Sequence, residues 1–205
     1  GPQPEETAIC LAENEIPSVQ GCWDLNIAIN ASDCGCTFTT KQEAARGREL
    51  FTWTANRISE STRRYLASLP KSIRLETPLG NVLLVHGSPR SPNEYLGIDM
   101  DPLMLLERAE SANCDILVCG HTHIPFIKRV TGAITVEKGH PYHHQTQQIE
   151  FLVSPKVVVN VGSVGEPIGR PEASYAILDL ETGKSKIAYV TYDVNETIQI
   201  MRQQS

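Results

Sequence analysis

Two stretches decide the reading of this chain: "LLVHGSPRSPNEYL", Leu83–Leu96, and "DILVCGHTHIPF", Asp115–Phe126. Each climbs through a short apolar run and stops at histidine beside glycine. His86 precedes Gly87; His121 follows Gly120, with His123 two residues on. A short apolar run bounded by glycine fits a strand buried on both faces. In layered α/β folds, ligands sit beyond the carboxyl ends of such strands. Glycine beside each histidine lets the backbone turn sharply and approach a ligand closely. On extended chain His121 and His123 reach one face, while Thr122 points away. A lone histidine at a strand end is more often a hydrogen-bonded polar residue. Three on two tips point to metal, because imidazole is the commonest metal-binding side chain near neutral pH.

A third strand is expected over "IPSVQG", residues 16–21, with Gly21-Cys22-Trp23-Asp24 at its end. His140, His143 and His144 differ from the others. They lie in "GHPYHHQTQQ", residues 139–148, with no apolar lead-in, and read as a solvated polar loop.

Around these motifs the chain alternates. Helices are expected over 4–14, 41–58 and from Ser59 towards Pro70, with a loop over 26–40. Strands follow at 72–77 and 81–85, turned at Pro78-Leu79-Gly80. Asp101 and Pro102 open a helix to Ala112. Further strands are expected at 115–119, 124–130 and 133–137, the last two turned at Thr131-Gly132. Three more cover 156–160, 173–180 and 186–192, before a closing helix over 194–202. Helices with strands first and hairpins later predict one domain over 1–205, a layered α/β sandwich with mixed sheets.

The bulk numbers exclude several functions. The 205 residues carry a net charge of −6, with 40% apolar and 20% charged residues. No basic block invites nucleic acid. No apolar run approaches the ~20 residues of a membrane helix. The polar, proline-containing start does not read as a signal peptide, so a cytoplasmic location is expected. Six cysteines are read as reduced thiols. Cys114 and Cys119 border an apolar strand, where cysteine behaves as a small hydrophobe. Cys34-Gly35-Cys36 is spaced more tightly than usual metal pairs and reads more readily as a loop with incidental thiols. Arg90 and Asn93 could meet phosphate or simply be solvated.

"LLVHGSP", then "VCGHTHIPF", then "VVVNVGSVGEP" together resemble the calcineurin-like metallophosphoesterase superfamily, in particular its compact bacterial members. The similarity runs from about Pro4 to Tyr192 and implies a layered α/β/β/α sandwich with a helical insert at about 41–70. In that family two metals share one site, built from Asp-x-His, Gly-Asp, Gly-Asn-His-Asp, Gly-His and Gly-His-x-His in order. The resemblance implies that His86 and His121 bind one metal and His123 the other, with Gly162 and Ser163 at the pocket rim. It implies divalent ions such as Mn, Fe, Zn or Ni, and a small phosphorylated substrate, a phosphomonoester or phosphodiester.

The sequence departs from that pattern in two places. Asp-x-His and Gly-Asp are expected ahead of Pro4, and the chain begins at Gly1. The first strand or strands of one sheet are therefore expected to be missing, and the exposed edge to be met by a homo-oligomer that completes it, by poor solubility or by a rearranged N-terminal region. Second, Cys22 stands where the ligating asparagine belongs, and Trp23 where a proton donor often stands; indole cannot transfer a proton. His86, His121 and Cys22 remain an adequate mononuclear zinc set with one open position. One metal, or none, is thus expected instead of two. Three readings stay open: a phosphoesterase impaired to some degree, a non-catalytic binding or assembly module, and a mononuclear zinc hydrolase of another bond.

Overall fold

A computed structural model describes residues 1–140 and 143–204, with backbone alone at 133–140, 143–153 and 204. The elements in order are α1 (Pro4–Glu13), α2 (Cys22–Ala28), α3 (Lys41–Ala55), α4 (Glu60–Ser68), β1 (Ser72–Thr77), β2 (Gly80–Val85), α5 (Pro102–Ser111), β3 (Ile116–Cys119), β4 (Phe126–His140), β5 (His143–Asn160), β6 (Ala173–Leu178), β7 (Ser185–Val190) and α6 (Val194–Gln204). Among the described residues two sheets form, a five-stranded one in the order β1-β2-β3-β5-β4 and the two-stranded pair β6-β7.

The centre of the large sheet is parallel. β2 pairs with β3, and β3 with β5, while β1 and β4 flank them antiparallel. This arrangement explains the continuous apolar runs, since both faces are covered. On one face α5 packs Leu105, Leu106 and Ala109 against Leu83, Leu117 and Val158. On the other, Val82, Ile116 and Val159 meet Ala176 and Leu178 of β6. The result is a mixed α/β layered fold, as expected. The helical region has its own core, in which Ile27, Cys34, Phe51 and Leu66 are buried.

Helix boundaries follow cap chemistry. Asp101 accepts the Leu103 N–H at 2.8 Å, ahead of Pro102 in the first turn of α5. At α3, Thr40 accepts from Glu43 N at 3.1 Å, and Glu43 accepts in return from Thr40 N at 3.1 Å. Ser59 caps α4 through Thr62 N.

Several expectations are corrected. Residues 16–21 join no sheet; Gln20 N donates to Pro70 O at 2.8 Å, and Gly21 becomes the N-cap of α2. The apolar residues Ile16 and Val19 had suggested a ladder that has no partner strand. Consequently Asn26–Ala28 belong to α2, not to a loop. Thr131-Gly132 is no turn but a register irregularity within β4, between Val130 and Gly132. The polar stretch 139–148 is also strand, apart from 141 and 142, which lie outside the described residues. There β4 and β5 form a ribbon held by backbone pairing, which polar side chains neither announce nor forbid.

Candidate metal centre

The parallel pairing of β2 with β3 brings their tips side by side. Two backbone bonds lock them: Gly120 N and His121 N both donate to His86 O at 3.0 Å. Gly87 is required just beyond His86, because a Cβ there would sit 2.5 Å from Pro92 O and 2.7 Å from Ser91 O, both backbone atoms. Gly120 meets only ordinary contact, 3.5 Å from Val161 Cγ2, so steric need explains one of the two neighbouring glycines and not the other. The loop after Gly87 is fastened by Ser88, whose Oγ accepts from Arg90 N and Ser91 N and donates to Glu94. Buried Arg108 in turn holds Glu94, its Nη2 donating to Oε1 at 2.6 Å.

Cys22, the first residue of α2, approaches those tips from the helical region. Its Sγ lies 3.4 Å from His86 Nε2 and 3.7 Å from His121 Nδ1, while the two imidazole nitrogens are 3.0 Å apart. All three donor atoms fall within 4.8 Å of one another. A tetrahedral ion with Zn–N bonds of about 2.0 Å and Zn–S of about 2.3 Å separates its ligands by roughly 3.3–3.8 Å. The residues therefore fit a divalent cation. His121 Nε2 is buried without a hydrogen-bond partner.

The electrostatics leave the imidazoles neutral. Burial pushes His86 down to about 4, with His121 adding to the effect and Asp24 opposing it. Burial also lowers His121 and His123. Neutral imidazole is the form that binds metal. Asp24 itself is raised by burial and accepts Gly21 N at 2.7 Å, fixing the turn that presents Cys22.

His123 does not join this group. It follows a Gly120–His123 turn with a φ of +60°, unusual for a residue with a Cβ, and its Nδ1 lies 3.7 Å from Glu166 Oε2. Gly162 and Ser163 sit behind that turn: Gly162 N donates to Asn160 Oδ1, and Ser163 N to Ser174 Oγ, each at 3.0 Å. Arg90 is paired with Glu107 at the surface. Trp23 packs edge-on against Phe51, with ring centroids 5.5 Å apart, as part of the helical core.

Two contributors, Asn160 and Tyr95, went unnoticed in the sequence, and a third, Cys36, was read there as an incidental loop thiol. Asn160, fully buried, donates to Thr122 Oγ1 at 2.9 Å and so latches the His121–His123 turn to the end of β5. Tyr95 stacks on His121 with ring centroids 4.1 Å apart. Cys36 Sγ reaches Cys22 Sγ at 3.5 Å. For Asn160 a signal existed, a polar residue ending the "KVVVN" run; Tyr95 and Cys36 depend on loop paths that no periodicity reveals.

Layered α/β architecture with a Cys-His-His cluster at the tips of its parallel strands defines a candidate metal-binding α/β protein. The family model described as "Calcineurin-like phosphoesterase superfamily domain" matches residues 2–183, and the chain belongs to that family. An uncharacterised protein of Methanocaldococcus jannaschii is 30% identical over 148 residues, 70% of this chain and 55% of that protein. The chain thus spans little more than half the length of that curated relative. Among solved structures, a metallophosphoesterase from Sphaerobacter thermophilus superposes with a TM-score of 0.69 at 23% identity, covering 99% of this chain and 78% of the other. A hypothetical protein from Pyrococcus horikoshii gives 0.66 at 19%, covering 97% and 72%. At these identities the two structures speak for the fold alone. No helix among the described residues is long and apolar enough to cross a membrane.

Proposed function

We propose that this chain hydrolyses a phosphomonoester or phosphodiester, using a divalent metal held by Cys22, His86 and His121. The observation that carries the reading is the convergence of those three donors, within 4.8 Å of one another, at the strand tips of a calcineurin-like phosphoesterase domain. When bound, the cation supplies a Lewis acid that makes water nucleophilic near neutral pH and offsets phosphate charge. The protein's part is to hold the donors in place. His86 and His121 present lone pairs because burial keeps them unprotonated. Cys22 contributes a soft, negatively charged donor, which favours zinc over manganese in this position. His123, half-buried and neutral beside Glu166, is the group best placed to exchange a proton at the rim. Trp23 has no such capacity.

A second reading, a non-catalytic metal-binding module, is favoured by Trp23 and by the contact of Cys22 with Cys36. A chromogenic phosphodiester and a monoester, each assayed with zinc and with manganese, separate the two. The hydrolase reading expects turnover that falls at least about 100-fold in His121→Ala. Equal rates in both proteins, or none in either, would overturn it.

A further inference from the structure

We infer that Cys36 is a fourth donor to the metal, so that the resting site is a closed Cys22–Cys36–His86–His121 centre gated by the loop between α2 and α3. The inference rests on the metal-binding half of the reading above and adds to it a residue and a mode of control.

Two cysteines compete for the role, and the structure separates them. Cys34 Sγ is buried in the helical core beside Ile27, Phe51 and Leu66, and it accepts from Cys36 N at 3.3 Å. Cys36 sits at the edge of the same core, its Sγ 3.6 Å from Cys34 O. Its Sγ is 3.5 Å from that of Cys22, near the separation of about 3.8 Å that two thiolates adopt on one tetrahedral zinc. Cys36 is not among the three donors lying within 4.8 Å of one another. Staggered positions about its Cα–Cβ bond lie about 3 Å apart at Sγ, so a rotamer change moves the thiol by the width of a ligand contact.

The loop is fastened in a way that a weak thiol contact alone does not explain. Asn26 Nδ2 donates to Cys22 O at 2.7 Å and to Cys34 O at 2.9 Å, tying the first residue of α2 to the loop. Asn93 Nδ2 donates to Gly35 O at 2.8 Å, and Tyr95 Oη to Thr37 O at 3.3 Å. Both come from the loop that follows His86, so the histidine side of the site holds the cysteine side in place. Gly35 has a φ of +65°, and a Cβ there would lie 2.8 Å from Asn93 Nδ2. Backbone freedom at Gly35 thus aims Cys36 towards Cys22.

The chemistry follows. Two thiolates and two imidazoles form a tetrahedral set typical of structural zinc, without a position for water. Withdrawal of Cys36 leaves the three donors of the hydrolytic site and one open position. The loop at 31–40 therefore sets whether water and phosphate reach the metal.

Cobalt(II) substitution tests this without any assay of turnover. Sulfur-to-cobalt charge transfer scales with the number of thiolates bound. The wild-type chain should show about twice the near-ultraviolet intensity per bound cobalt of Cys36→Ser, with Cys34→Ser matching wild type and far-ultraviolet circular dichroism reporting the fold of each. Zinc affinity should fall at least about tenfold in Cys36→Ser. Unchanged intensity per cobalt in Cys36→Ser would overturn the inference, and so would failure of the wild type to bind cobalt. Two-thiolate intensity in the wild type, with no phosphoesterase turnover even in Cys36→Ser, whose site keeps three donors and an open position, would sink the hydrolase reading and uphold the role of Cys36.

Discussion

The candidate metal centre joins two regions built by different physics. The histidine half sits on the parallel core of the large sheet, where His86 and His121 are tied backbone to backbone through Gly120 N and His121 N. The cysteine half sits on a helix N-terminus and a loop, held by the side chains of Asn26, Asn93 and Tyr95. Backbone ladders inside a packed core open only with global unfolding, whereas loops held by a few side-chain bonds open locally. The difference teaches that the histidines are fixed before metal arrives and the cysteines are the adjustable half.

Four results would break or sharpen that contrast. The largest concerns metal. With free zinc near a thousand times its Kd, stability should rise by about 4 kcal/mol. Chemical denaturation of His121→Ala should show none of that gain. A gain retained in the variant would place the zinc elsewhere.

Next is pH, measured on metal-free protein in chelator. His86 is held at about 4 against an ordinary 6.5, so the unfolded chain binds the proton first. Stability should therefore fall as pH drops through 6.5 and level off below about 4, by at most about 3 kcal/mol for this residue. The lowered His121 and His123 act in the same direction. His86→Asn should flatten the slope; an identical slope would mean that His86 is not buried as described.

Glycine substitutions probe the rigid half directly. Gly87→Ala forces a Cβ against the backbone at Pro92 and should cost about 1–3 kcal/mol. Gly120→Ala meets only ordinary contact and should cost less than about 1 kcal/mol. Thermal unfolding of the pair decides, and a reversed order would contradict the tie between the strand tips.

The smallest effect tests the adjustable half. Asn26→Ala removes two hydrogen bonds and should cost about 1 kcal/mol of stability. Its signature is selective: limited proteolysis within residues 31–40 should speed up while backbone exchange at β2 and β3 is unchanged.

The same division governs what could be read from the sequence. His86 and His121 were legible because each ends an apolar run, and two buried parallel strands deliver their ends to one place. α5 was legible from Asp101 and Pro102, and α4 from Ser59. The start of α2 was not, because Gly21 caps it without a side chain and the apolar residues before it imitate a strand. The far end of the β4–β5 ribbon, beyond 137, was missed for a related reason: backbone pairing holds it, and polar residues such as those from 143 to 148 carry no period that marks a strand. Cys22 was singled out through its place in the family pattern, but its neighbour Cys36 was set aside on spacing. Spacing fails there because the pairing is between α2 and a loop closed by Asn26 and Gly35, not between neighbours in sequence.

The most direct test of the convergence of Cys22, His86 and His121 is metal content measured on protein reconstituted with zinc and stripped of loosely bound ions. One tightly held zinc per chain is expected in the wild type, and essentially none in His86→Ala or His121→Ala proteins that retain their circular dichroism. Zinc held equally by wild type and both variants, or by none of them, would contradict it.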